Sequence, residues 1–194
     1  CNQKKLSLSN SIFCYHIKYI KQLYWMKKII FLIIFTLFSL SAKAGCDDPI
    51  GDGVDYTNCR FSDGQDLAGS YLPNANLSFS TFIQVNFDKS IMMNSILSFG
   101  TFSESSFVRA NLYESNLQGA NFEQSDFTSS NLTRVNFNGA TLIGVNFKNA
   151  NLLEADFTSA NILEANFEGA NLNGSIWTNG AKCGLESIGK CQDK

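Results

Sequence analysis

Large apolar side chains recur every five positions over residues 67–177, running Leu67, Leu72, Leu77, Phe82, Phe87, Met92 and onward to Trp177 with no slip in register. Neither straight element accommodates that period. Five residues turn an α-helix by about 500°, a net 140°, so the side chains would spiral around the axis instead of lining one stripe. In a strand the side chains alternate, and an odd step sends every second one to the opposite face. A chain that bends once per five residues gives every unit the same environment, with the large residue inward.

The neighbours of each large residue fit that bend. Two positions before it stands Ala or Ser in 18 of the 23 units, and Val in three more. Such small residues suit a crowded interior corner. One position before it stands Asn or Asp in 15 units, as in Ala165-Asn166-Phe167 and Ala170-Asn171-Leu172. These side chains satisfy local backbone groups and tolerate unusual dihedrals.

The pattern resembles the pentapeptide repeat family, whose unit is a small residue, Asn or Asp, then Leu or Phe and two variable positions. The resemblance covers residues 65–179. It implies an all-β fold: a right-handed four-sided parallel β-helix with four units per coil, about 5–6 coils here, and the Leu/Phe positions stacked inside. Each coil then stabilises only its neighbours, and both ends need caps. Met92, Ile91, Ile96 and Gly100 depart from the unit and mark coils expected to be locally irregular.

Ahead of the repeats the composition changes. All 17 acidic residues follow residue 44, whereas 7 of the 15 basic ones precede it. Met26-Lys27-Lys28 opens an apolar run over residues 29–40 that is followed by Ser41-Ala42-Lys43-Ala44. This is the layout of a secretory signal peptide over 26–44, with cleavage expected after Ala44. The run is too short for a membrane span of roughly 20 residues, so no membrane association is expected after cleavage. Residues 1–25 are expected to be an upstream extension translated ahead of Met26. The mature chain would be periplasmic or secreted and carry a net charge of −9. It would also lose His16, the chain's one histidine, which excludes Ser-His-Asp, Cys-His and histidine-metal chemistry.

Expected beyond the leader are an N-terminal cap over 45–66, the β-helix over 67–177 and a C-terminal cap over 178–194. The caps hold Cys46 and Cys59, and Cys183 and Cys191. In an oxidising compartment an even count favours disulfides over metal binding. Three pairings exist. Cys46 with Cys59 and Cys183 with Cys191 is preferred, because the solenoid holds the two ends apart. Each such loop contributes roughly 2.5–3 kcal/mol in the chain-entropy account. No cofactor or metal is expected, since Gly51-Asp52-Gly53-Val54-Asp55 lacks a complete calcium loop pattern.

Residues twenty apart stack on one face, so function falls to the outward columns. Phe79, Ile91, Met93, Ile96 and Phe99 form an apolar patch, a candidate surface for a protein partner or a homodimer. The alternative is that residues 45–66 fold back over it. Glu114, Arg134 and Glu154 form a solvated charge ladder of little energetic weight. The sequence thus reads as a non-enzymatic exported solenoid for protein binding or structure. An adhesion or effector role is the alternative. Some relatives mimic DNA and bind gyrase through an acidic surface, but the repeats over 67–177 carry a net charge of only −5. No nucleic acid partner is expected.

Overall fold

The computed structural model describes residues 45–192, and the leader expected over 1–25 and 26–44 lies outside the described residues. The chain winds into a four-sided parallel β-helix. Parallel bridges join residues twenty apart, so that Ile96 bridges Asn76 and Asn116, and the ladder continues through Asn136 and Asp156 to Ile176. Three further ladders run alongside it, through Thr101, Ser106 and Ile91.

The five-residue units bond their backbone donors in a repeating scheme. In the unit centred on Leu97, Ile96 N–H donates to Ala75 in the preceding coil, and Leu97 and Phe99 donate to Asn116 and Gln118 in the next. Gly100 N–H closes the turn onto the Leu97 carbonyl. Where Asn or Asp stands one position before the large residue, its side chain takes the remaining N–H, one position after the large residue, as when Asp88 donates to Asn86 Oδ1 at 3.0 Å. That shared task explains the Asn/Asp column, since a buried or bent backbone rarely leaves a donor unmade. The same amides stack between coils, with Asn131 donating to Asn111 and Asn171 to Asn151. Each turn from Gly69 to Gly174 places its second outward residue in the left-handed region, at φ 56–68°. A type II turn requires that conformation.

Inside, each complete coil holds two aromatic rings and two aliphatic side chains. Leu97, Phe102, Phe107 and Leu112 make one layer; Phe137, Leu142, Phe147 and Leu152 make another, and all are fully buried. One ring column is continuous, with Phe87, Phe107, Phe127, Phe147 and Phe167 stacked 4.7–5.5 Å apart. The second column changes sides. It runs through Phe82, Phe102 and Phe122, then shifts to the adjacent side, three units along the chain, at Phe137 and Phe157. The coils with Met92, Ile91 and Ile96 bridge and turn like the rest. Gly100 is required because a Cβ there would lie 2.6 Å from the Phe102 ring.

The ladder starts earlier than residue 67. Asp55 bridges Asn76 and Arg60 bridges Thr81, both twenty-one apart, and the Phe61 ring stacks on Phe82 at 4.3 Å. One extra residue between Phe61 and Leu67 hides these two units from a five-residue count. With them the β-helix has six full coils, roughly 29 Å at the usual strand spacing.

At the N-terminal end Cys46 bonds Cys59, and the Tyr56 hydroxyl donates to the Asp48 carbonyl at 2.6 Å. Burial, with Asp48 nearby, raises the Tyr56 pKa. At the other end the chain reverses. Ile188 and Lys182 pair antiparallel with Asn171 and Ile176, and Cys183 bonds Cys191. These closures occupy backbone edges that a parallel solenoid otherwise exposes.

Candidate functional site

The five patch residues fall on two adjacent sides and the corner beyond them. Ile91 and Met93 flank Met92 on one side, and Ile96 follows on the next. Phe79 and Phe99 stand at the far corner with rings stacked 5.3 Å apart. Phe79 is 56% exposed and Phe99 53%, Ile91 and Ile96 are exposed, and Met93 is half-buried. Residues 45–66 therefore leave the patch open. Tyr71, which the five-residue pattern did not single out, bridges Ile91 and is 55% exposed, so it extends the same surface. The signal was present: Tyr71 is the residue twenty before Ile91, in a column otherwise held by Asn.

Two features show what this surface costs the fold. Phe79 and Phe99 both sit at φ 58°, in a conformation that disfavours any side chain and is an outlier for a bulky one. Later in the same column stand Gly119, Gly139 and Ser159, and polar residues such as Gln84 and Arg109 take the same conformation at other corners. The Phe99 ring leans over Gly119, where a Cβ would meet it at 2.6 Å. In addition, Ile91 and Ile96 occupy the Asn position, so, as in the units with Thr81, Thr101 and Thr141, the N–H groups of Met93 and Ser98 lack the side-chain acceptor that an Asn or Asp there provides.

The charge ladder lies one corner away. Arg134 donates to Glu154 at 2.8 Å and to Glu114 at 3.1 Å, and Tyr113 donates to Glu114 at 2.7 Å. The Tyr113 hydrogen bond and then Arg134 hold the Glu114 carboxyl below its ordinary pKa, and Arg134 does the same for Glu154. All four side chains are solvated, and the ladder contributes little to stability. Lys148 pairs with Glu168 on another side. A cavity of about 700 Å³ opens at the N-terminal end over Leu67, Leu72 and Phe82, with Asp48, Asp63 and Arg60 at its rim. Among the described residues no group of His, Cys, Asp or Glu could hold a metal ion.

Against known families, the profile described as pentapeptide repeats matches in eight copies over residues 66–98, 105–142 and 136–174. The chain belongs to the pentapeptide repeat family. Its β-helix is therefore the right-handed, four-sided one of that family. Among solved structures it is similar to a trypsin-treated QnrB1, a plasmid-mediated fluoroquinolone resistance protein. The two share 26% identity at a TM-score of 0.60, over 64% of this chain and 63% of that one. Full-length QnrB1 aligns at 24% identity and a TM-score of 0.60, over 64% and 65%. A pentapeptide repeat protein of the cyanobacterium Cyanothece 51142 aligns at 21% identity and a TM-score of 0.36, over 69% and 93%. This pentapeptide repeat chain thus spans less than two thirds of QnrB1. A comparison with curated protein sequences finds no match.

Proposed function

We propose that this pentapeptide repeat protein is an exported, non-enzymatic binding module that holds a protein partner on the patch of Tyr71, Phe79, Ile91, Ile96 and Phe99. The observation that carries the reading is the pair of exposed, stacked phenylalanines standing beside exposed Tyr71, Ile91 and Ile96, in columns whose later coils carry Gly, Ser or Asn in place of Phe79, Phe99, Tyr71 and Ile91. An exposed contiguous apolar patch on an otherwise polar solenoid points to a use for the side chains. The leader over 26–44 and the two disulfides support export. A pull-down from periplasmic and culture fractions with the disulfide-intact chain tests this. Wild type is expected to hold a protein that the Phe79→Ser/Phe99→Ser variant releases; identical sets from both would overturn the patch as the binding surface.

The likeness to QnrB1 favours a second reading, a DNA mimic directed at a topoisomerase. Charge density argues against it. Duplex DNA carries about one negative charge per 1.7 Å, roughly 17 over the 29 Å of this solenoid. Over the same length, residues 54–177, the solenoid offers a net of −7, and Arg134 and Lys148 pair with three of its carboxylates. An undiminished gyrase supercoiling rate at micromolar protein would dispose of the mimic, and inhibition would restore it.

A further inference from the structure

The C-terminal closure covers two of the four sides. Ile188 pairs with Asn171 and Lys182 with Ile176, whereas the ladders through Asn161 and Asn166 end there, with no later bridge among the described residues. On those two sides the last coil leaves its large residues half-buried: Ile162 and Phe167 are partly exposed, where Leu142 and Phe147 beneath them are fully buried. The backbone is open as well. Among the described residues, the N–H groups of Ile162, Glu164 and Phe167 and the carbonyls of Ala160 and Ala165 have no hydrogen-bond partner. We propose that this ledge receives an extended, basic peptide segment of a partner protein, laid parallel to residues 160–168 as a further coil would lie. The surface is separate from the aromatic patch, and the inference does not rest on that reading.

Three observations choose the occupant. The first is register. One coil earlier, Leu142 donates to the Asn161 carbonyl at 2.8 Å, Gly144 to Leu163 at 2.9 Å and Phe147 to Asn166 at 2.7 Å, while Asn161 and Asn166 donate back to Ala140 and Val145. The five open groups of the ledge are the same five, one coil on, so a parallel strand meets them all. Adding a strand to an open edge is a recurring mode of peptide recognition. The second observation is the floor. Two large apolar residues five apart in the added strand fall on Ile162 and Phe167, and their burial offsets the cost of ordering the peptide. The third is charge. Glu164 and Glu168 stand exposed along the ledge, and the protein's own columns show what pairs with such carboxylates across one coil: Arg134 reaches Glu154 at 2.8 Å and Lys148 reaches Glu168 at 2.9 Å. In the peptide, a cation two positions after the first apolar residue meets Glu164, and one directly after the second meets Glu168. The same carboxylates repel the equivalent edge of another copy, which would bring its own Glu164 and Glu168 against them. The closure sets the limit of the ledge. Gly189 stands at its far corner, where a Cβ would come within 3.4 Å of the Gly169 nitrogen and the Phe167 carbonyl oxygen.

The probe is the synthetic peptide Ala-Asn-Leu-Thr-Lys-Ala-Asn-Phe-Lys-Gly with blocked ends, added to the isotopically labelled, disulfide-intact chain. Saturable NMR shifts are expected at the amides of Ile162, Glu164 and Phe167. These three N–H groups should exchange quickly in the free protein and slowly in the complex. Serine in place of the peptide's leucine and phenylalanine should weaken binding more than tenfold. Glu164→Lys/Glu168→Lys should weaken it about fivefold, the scale of two exposed ion pairs, and should favour a peptide whose lysines are replaced by glutamate. That exchange of preference separates pairing from damage to the fold. Phe79→Ser/Phe99→Ser should leave peptide binding unchanged. Amides of Ile162, Glu164 and Phe167 that stay unmoved at millimolar peptide, or a scrambled sequence that binds equally well, would overturn the proposal. Protection of the same amides that grows with protein concentration, without peptide, would assign the ledge to a second copy and overturn the peptide as its occupant.

Discussion

At the residue scale the fold is governed by what five backbone positions each require. The Asn or Asp before each large residue serves two neighbours, the N–H two residues on and the amide in the next coil. Ile96→Asn should therefore stabilise the protein by roughly 1 kcal/mol, the net value of a recovered hydrogen bond. Urea denaturation measures it, and an unchanged midpoint would show that the Ser98 N–H gains nothing from a side-chain acceptor. The charge ladder makes a separate prediction. The Glu114 carboxyl is held low by Tyr113 and then Arg134, so its contribution is present at neutral pH and is lost as pH falls through the lowered value. An NMR titration of its side chain should give a midpoint below that of a free glutamate, moving back toward it in Arg134→Gln. Of these residue roles the sequence announced the spacing and the residue types. It did not announce which N–H each amide serves, because that depends on the turn and not on the period.

At the scale of the coil, the constant is two rings per layer. Where the second ring column leaves Phe122 and reappears at Phe137, Leu142 takes the vacated side, and the layer keeps its volume. Packing at crystal-like density makes that exchange a requirement. Leu142→Phe should cost about 1–3 kcal/mol by overfilling the layer, and Phe137→Leu should cost a similar amount by leaving a void. The double variant should lose clearly less than the sum of the two, read as a coupling energy in a double-mutant cycle. Strict additivity would show that the columns pack independently. Period alone revealed the core from Leu67 onward. It missed Tyr56 and Phe61 because the extra residue before Leu67 shifts them out of phase, although their rings extend the same stack. Tyr71 escaped notice for another reason: surface membership needs the twenty-residue register applied to a variable column.

Across the whole molecule, stability is nearest-neighbour in character, so damage at one end stays there. Reduction of the bond between Cys183 and Cys191 is expected to release the antiparallel closure at Lys182 and Ile188, at a cost of roughly 2–3 kcal/mol. Hydrogen exchange should then quicken over 171–190 and leave the amides over 97–147 protected. Global loss of protection would show that the cap holds more than its own coil. The twenty-residue register also bears on how the chain comes to be folded. Each coil rests on the one before it, through bonds such as Ile96 to Ala75 and Asn116 to Ser95. A ribosome or export channel delivering the chain N-terminus first presents every new coil to a surface already shaped to receive it. Folding can then keep pace with delivery, closing one loop of about twenty residues at a time. The growing end alone stays adhesive, until the last disulfide closes it.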